Sequence, residues 1–204
     1  MTEHGRDKDT PPQAWIEGCI SDCLACVGGL RRQGGAIATA VDLLVDTIRA
    51  GGKVLTAGNG GSAADAMHMS EELMGRFRGD RPSLAAVALA ADGTALTCIG
   101  NDYGFDAVFS RQVEGLGRPG DLLVLFSTSG RAVNLARAVT AARAQRMRVL
   151  LILGRDGGPL AGQGDAQVVV AGGQTERIQE AHQLLMHILL EGVERLFITQ
   201  EDHP

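Results

Sequence analysis

Lys53-Val-Leu-Thr-Ala-Gly-Asn-Gly-Gly-Ser62 runs from a short apolar stretch straight into a glycine-rich turn. Asp121-Leu-Leu-Val-Leu-Phe-Ser-Thr-Ser-Gly130 does the same with hydroxyl residues. Strands this short and this apolar on both faces belong to parallel sheets covered by helices on either side. Each is followed by helical spacing, so strand, turn and helix alternate. That pattern predicts an α/β fold, a three-layer sandwich around a parallel sheet. Ligands in such sheets bind at the carboxyl ends of the strands, which directs attention to the two turns.

Working outward, further strands are predicted at Ala85–Ala90, Val149–Leu153 and Val168–Val170. The helices between them are expected from the first turn to about Phe77, near Ala95–Ile99, and over Asp106–Gly115, Ala132–Gln145 and Glu176–Phe197. Gly100–Gly104 reads as a loop. Ahead of the first strand, apolar residues at helical spacing over 13–33 and 36–50 predict a helical hairpin broken at Gly34-Gly35. Residues 1–12 and 199–204 read as tails, leaving a single domain over 13–198, with N-terminal helices at 13–50 and an α/β core at 53–198.

Composition excludes several classes. The 204 residues suffice for one domain with a substantial core. Aromatics are only 3%, so the core must be built from Ala, Val, Leu, Ile and Met, which suits close helix-on-sheet packing. Glycine, 28 of 204 residues, is about twice its usual share, which implies many tight turns and backbone-lined pockets. Net charge is −5 and the basic residues are scattered, so neither a nucleic-acid stripe nor a basic membrane-binding helix is expected. The charged N-terminus has no apolar stretch of the secretory kind, and the longest apolar runs are too short to cross a bilayer. The expected compartment is the cytoplasm. Cys19, Cys23 and Cys26 share one helical face with no histidine nearby, a pattern of small buried side chains more than of a metal cluster.

Gly58-Asn59-Gly60-Gly61-Ser62 and Ser127-Thr128-Ser129-Gly130 are both built to cradle a phosphate. Glycine lets the backbone approach an anion, free N–H groups at a helix start point toward it, and the helix dipole adds ~0.3–1 kcal/mol. Ser and Thr are also ordinary helix caps, so either turn alone has a purely structural reading. The pair in one sheet is harder to explain that way. The dinucleotide fingerprint fails, because the candidate acidic residue, Asp92, lies 34 residues past Gly58.

After the first turn, Asp65, His68, Glu72 and Arg76 fall at i, i+3, i+7 and i+11, one polar stripe along the turn's mouth. It reads either as a solvated face or as a general base, Glu72, with His68 beside it. In the last helix, His187 stands within a wide apolar face (Leu184, Leu185, Ile188, Leu189), where an ordinary buried histidine is the competing reading.

These motifs, Gly58-Asn-Gly-Gly-Ser62, Met67-His-Met-Ser-Glu-Glu-Leu73, Gly100-Asn-Asp-Tyr-Gly-Phe105, Ser127-Thr-Ser-Gly130 and Arg177-Ile-Gln-Glu-Ala-His182 with His187, resemble those of the phosphoheptose isomerases of the sugar-isomerase (SIS) domain family. The resemblance runs from about residue 30 to 197. It implies a flavodoxin-like sheet and a homotetramer with active sites at subunit interfaces. It implies Glu72 as general base and His187 as general acid. His68, Glu72, Gln179 and His187 would hold Zn²⁺. Asn59, Gly60, Gly61, Asn101, Asp102 and Gln179 would contact a phosphorylated seven-carbon sugar, with Arg76 a further contact. Ser62, Ser127, Thr128 and Ser129 would hold its phosphate. The implied reaction is the conversion of D-sedoheptulose 7-phosphate to D-glycero-D-manno-heptose 7-phosphate through an enediol. Two positions depart from the family pattern: Arg131-Ala132 stands where Asn-Ser is usual, and Glu176 where Asp is usual.

Gln179 and His187 are eight residues apart, about 12 Å along a straight helix. One ion therefore needs either a distorted helix or two subunits to be bound by both. The rival readings are a non-catalytic adaptor of the same fold, resembling the protein that associates with the bacterial replication initiator, and a sugar-phosphate-sensing domain. The adaptor lacks counterparts of Glu72 and His187, and residues 1–50 show no basic recognition helix for a sensing regulator.

Overall fold

The structure is a computed structural model that describes residues 11–197. Five strands, β1 (Val54–Gly58), β2 (Ala86–Ala88), β3 (Leu122–Ser127), β4 (Arg148–Gly154) and β5 (Ala166–Val170), form one all-parallel sheet in the order β2-β1-β3-β4-β5. This is the flavodoxin-like order, and its direction of winding reverses between β1 and β3. Those two strands pair directly, with Gly58 opposite Phe126. The turns that follow them therefore emerge side by side.

Seven α-helices lie among the described residues: α1 (Pro12–Leu30), α2 (Gly34–Arg49), α3 (Gly61–Met74), α4 (Gly93–Tyr103), α5 (Ser110–Leu116), α6 (Val133–Ala144) and α7 (Thr175–Glu194). Residue parity along the strands sends side chains to opposite faces. Val54, Leu122, Val124, Phe126, Leu150 and Ile152 meet α2, α3 and α7. Leu55, Leu123, Leu125, Val149, Leu151 and Leu153 meet α5 and α6. Each fully buried Leu or Val contributes roughly 1.5–3 kcal/mol of burial. Ala66, Ala138 and Ala142, fully buried, let the helices come close where aromatics are scarce. Because α3 and α7 share one face, the sheet itself brings their side chains together.

The boundaries differ from expectation where caps override periodicity. Asp92 accepts hydrogen bonds from the backbone N–H of Thr94 and Ala95 and starts α4 at Gly93; at the other end the helix runs through Gly100–Tyr103 until the chain turns at Gly104 (φ +82°). Gly75 ends α3 at Met74, leaving Arg76 and Phe77 beyond the helix. The expected helix over Asp106–Gly115 divides into a 3₁₀ turn, Phe105–Ala107, and α5. The N-terminal break is a 3₁₀ turn at Arg31–Gln33, with Gly34-Gly35 inside the first turn of α2, and both α1 and α2 pack against α7. The tails expected at 1–12 and 199–204 lie outside the described residues, except Pro11, which caps α1, and Pro12, which opens it. Among the described residues, no helix is long and apolar enough to cross a membrane.

Candidate active site

At the switch point, Gly60 takes φ +58°, a conformation open to glycine, and lets the chain reverse from β1 into α3. Ser62 N–H donates to Asn59 O (3.1 Å), and Ala63 N–H to Gly60 O (3.0 Å). The second turn is held by Ser127 Oγ, which accepts from Gly130 N–H at 3.0 Å, and Gly130 (φ +62°) presses on Gly157. Asn59 and Asn134 join the turns through two reciprocal amide hydrogen bonds of 2.9 Å each. Asn134 is buried at the start of α6, so this pair fixes the spacing of the two cradles. Thr128 and Ser129 are half-buried, whereas Ser62 and Ser127 are buried. Arg131 pairs with Asp156 at 2.9 Å on the surface. The Gly158 backbone N–H, with Arg131, holds the Asp156 carboxyl below the usual carboxylate range.

About two and three turns into α3, His68 and Glu72 lie one turn apart, with Nε2 to Oε1 at 3.3 Å. His187 of α7 meets His68 edge-on, ring centroids 5.2 Å apart, and Phe77 stacks on His187 at 5.6 Å. One ligand atom from each of His68, Glu72 and His187 lies within 4.8 Å of the others. All three are half-buried. Two imidazoles and a carboxylate are the donor set of open, catalytic zinc centres, where each ligand stands about 2.0–2.2 Å from the ion. Three donors of this kind converging within 4.8 Å fit a metal. Burial, with the neighbouring His68, lowers the His187 pKa, so its ring is neutral at neutral pH. A neutral imidazole both donates and accepts a proton, as moving one between two oxygens requires.

Asp65, on the same helix, is buried and has one carboxylate oxygen with no partner. Desolvation raises its pKa to about 6, against the pull of His68.

The other sequence-predicted residues are more dispersed. A Cβ on Gly61 would lie 2.3 Å from Gln179 Nε2, so the Gln179 amide covers the start of α3. His68 is seven residues further along, about 10 Å by helical rise. Gln179 is thus apart from the His68–Glu72–His187 cluster within one chain, and α7 is unbroken from Thr175 to Glu194. Asn101 and Asp102 are exposed in the last turn of α4, where Asn101 donates to Asp102 at 2.8 Å. Arg76 is exposed just past α3, with no ion pair or hydrogen bond among the described residues. The stripe expected from Asp65 to Arg76 therefore divides into a buried acid, a half-buried pair and a loop residue. Cys19, Cys23, Cys26 and Cys98 are all free thiols. Asn134, Phe77 and the residues that brace the ends of α3 and α7 carry no signal in spacing; only Phe77, a rare aromatic three residues past the end of α3, stands out in the sequence.

The sequence matches the SIS domain family model over residues 26–154. It is 48% identical over 166 residues to a phosphoheptose isomerase of Sodalis glossinidius, covering 81% of this chain and 85% of that protein. Its fold superposes on phosphoheptose isomerase GmhA from Neisseria gonorrhoeae with a TM-score of 0.84 at 40% identity, covering 90% of this chain and 98% of that one. A phosphoheptose isomerase from Francisella tularensis gives 0.82 at 34% identity, with 90% and 96% covered. With the parallel sheet, the two adjoining glycine and serine turns and the glutamate–histidine cluster in place, this chain belongs to the SIS domain family and, within it, to the phosphoheptose isomerases.

Proposed function

We propose that this sugar-phosphate isomerase converts D-sedoheptulose 7-phosphate to D-glycero-D-manno-heptose 7-phosphate. The observation that carries the reading is the convergence of His68, Glu72 and His187 from two helices. The phosphate is held by Ser62, Ser127, Thr128 and Ser129, with backbone N–H groups of the two turns. Asn59, Gly60, Gly61, Asn101, Asp102 and Gln179 contact the sugar, and Arg76 approaches its outer end. Glu72 takes the proton from C1 of the ketose and returns it to C2 of the enediol. His187, neutral at neutral pH because it is partly desolvated, moves a proton between the oxygens on C1 and C2. His68, Glu72 and His187 would hold Zn²⁺, and a bound ion would supply Lewis-acid polarisation of those oxygens.

The assembly in this reading is a cytoplasmic homotetramer of single-domain chains spanning 13–198, with each site shared between subunits. Two features support sharing. Gln179 is about 10 Å from His68 along α3 in its own chain, so a second copy's Gln179 completes the four-ligand set. Met67, Met74, Leu184 and Ile188, on the same two helices, expose apolar surface that a second copy would cover.

The test is incubation with sedoheptulose 7-phosphate, with and without a strong chelator. The reading predicts aldose formation that the chelator suppresses and added Zn²⁺ restores. No aldose from the metal-replete protein would contradict it.

A further inference from the structure

Resting on the reading above, we infer that Arg81 is a positioning residue: with Glu194 it sets the separation of α3 from α7 and so the geometry of His68, Glu72 and His187. Arg81 lies in the segment after α3, yet its side chain is only 1% exposed. Its guanidinium donates to Glu72 O (2.6 Å), Leu73 O (2.9 Å) and Glu194 Oε1 (2.9 Å). The other Glu194 oxygen accepts from Gly79 N–H at 3.1 Å.

The first two contacts satisfy carbonyls at the end of α3, one of them on the residue that supplies the carboxylate. The third grips the last residue of α7, two turns beyond His187. At the opposite end, the Gln179 amide seats on Gly61. The two helices therefore run parallel, pinned at their starts and at their ends, with the cluster between the pins. Between the clamp and the cluster, Arg78 pairs with Glu191 and lies over the Phe77 ring at 5.1 Å, and Phe77 lies on His187.

Capping alone does not call for this arrangement. Two buried charges carry a desolvation cost that a neutral cap avoids. What the forked guanidinium adds is a fixed three-way geometry between two helices, which a lysine's point charge does not reproduce.

The experiment compares wild type, Arg81→Lys and Glu194→Gln. It uses Co²⁺ titration of the metal-free proteins followed by visible absorption, steady-state kinetics with sedoheptulose 7-phosphate, and circular dichroism. Arg81→Lys is expected to bind Co²⁺ about 10–100-fold more weakly, the range found when a residue supporting a metal ligand is changed. Its kcat is expected to fall at least ~10-fold while KM stays within about threefold, because the phosphate cradles lie at the far end of α3. Glu194→Gln, which keeps size and hydrogen bonding, falls between. A folded Arg81→Lys with Co²⁺ affinity and kcat within twofold of wild type overturns the inference, and Glu194→Gln decides in the same way if Arg81→Lys does not fold. If wild type binds Co²⁺ but does not isomerise the sugar, the proposed reaction fails and the Co²⁺ arm still decides the role of Arg81. A wild type that does neither overturns both.

Discussion

Phe77 lies nearly parallel to His187, ring centroids 5.6 Å apart and planes 22° from coplanar. The imidazole thus touches both this face and the His68 ring, which it meets at 83°, and Arg78 lies 5.1 Å from the centre of Phe77. An aromatic pair of this kind is worth about 0.5–1.5 kcal/mol beyond its buried area, enough to select one orientation of a half-exposed ring. Phe77→Ala is expected to lower kcat about 10-fold with little change in KM, and Phe77→Tyr to retain most activity. Proton NMR checks the cause, because the His187 ring protons lose their ring-current shift in Phe77→Ala. Unchanged shifts and kcat would show that the stack does not orient the ring.

The Asn59–Asn134 amide pair joins the two cradles. Asn134→Ala leaves the Asn59 amide without its partner at a part-buried site, at a cost of about 1–3 kcal/mol. The expected result is a lower Tm and a KM for the sugar phosphate raised several-fold, with kcat changed less. A KM at the wild-type value would mean that the cradles keep their spacing without this pair.

His182 is fully buried in α7, with Nε2 3.0 Å from Leu153 O and Nδ1 unpartnered. Burial lowers its pKa from 6.5 to about 4, partly countered by the Leu153 carbonyl. Below pH 6.5 the unfolded chain takes up a proton that the native chain refuses. Stability contributed by neutral His182 is therefore present above pH 6.5 and lost as pH falls toward 4, by an amount on the order of 3 kcal/mol. Asp65, raised to about 6, acts in the opposite sense, since its protonation favours the native state as pH falls from 6 to 3.8. Comparing wild type with His182→Gln isolates the histidine. Denaturant unfolding at pH 5 and pH 7.5 should show a larger loss at pH 5 for wild type than for the variant, and equal losses would refute the assignment.

In one chain Gln179 sits against Gly61, about 10 Å of helical rise before the His68–Glu72–His187 cluster. A site shared between copies predicts complementation. Glu72→Gln and Gln179→Ala, each nearly inactive alone, should regain activity when co-expressed or unfolded and refolded together, because some mixed sites receive both wild-type residues. No recovery in assemblies shown to be mixed would place Gln179 and Glu72 in the same chain's site.

Much of the fold was legible because burial on both faces of β1, β3 and β4 leaves uninterrupted apolar runs. The glycine and serine turns were legible because positive-φ geometry and helix starts restrict residue type. His68 and Glu72 were visible as one helical turn. Their meeting with His187 rests on a long-range packing choice, both helices taking the same face of the sheet, which periodicity does not encode. The end of α3 was misplaced because helical spacing continues to Phe77 past the true stop at Gly75. The loop expected at Gly100–Gly104 is helical as far as Tyr103, because the helix stops only where Gly104 takes a positive φ. Arg81 and Glu194 each read in the sequence as an exposed charge, and only their mutual burial reveals the clamp.

The most direct test follows the proton itself. Sedoheptulose 7-phosphate is incubated in D₂O with wild type and with Glu72→Gln, and carbon-bound deuterium is followed by NMR. The account predicts that wild type forms the aldose and incorporates deuterium at C1 of the ketose and C2 of the aldose at a rate comparable to turnover. Glu72→Gln, still folded and still binding the sugar, should lose about 10²–10⁴-fold in both. Wild-type turnover and exchange persisting in Glu72→Gln would contradict it.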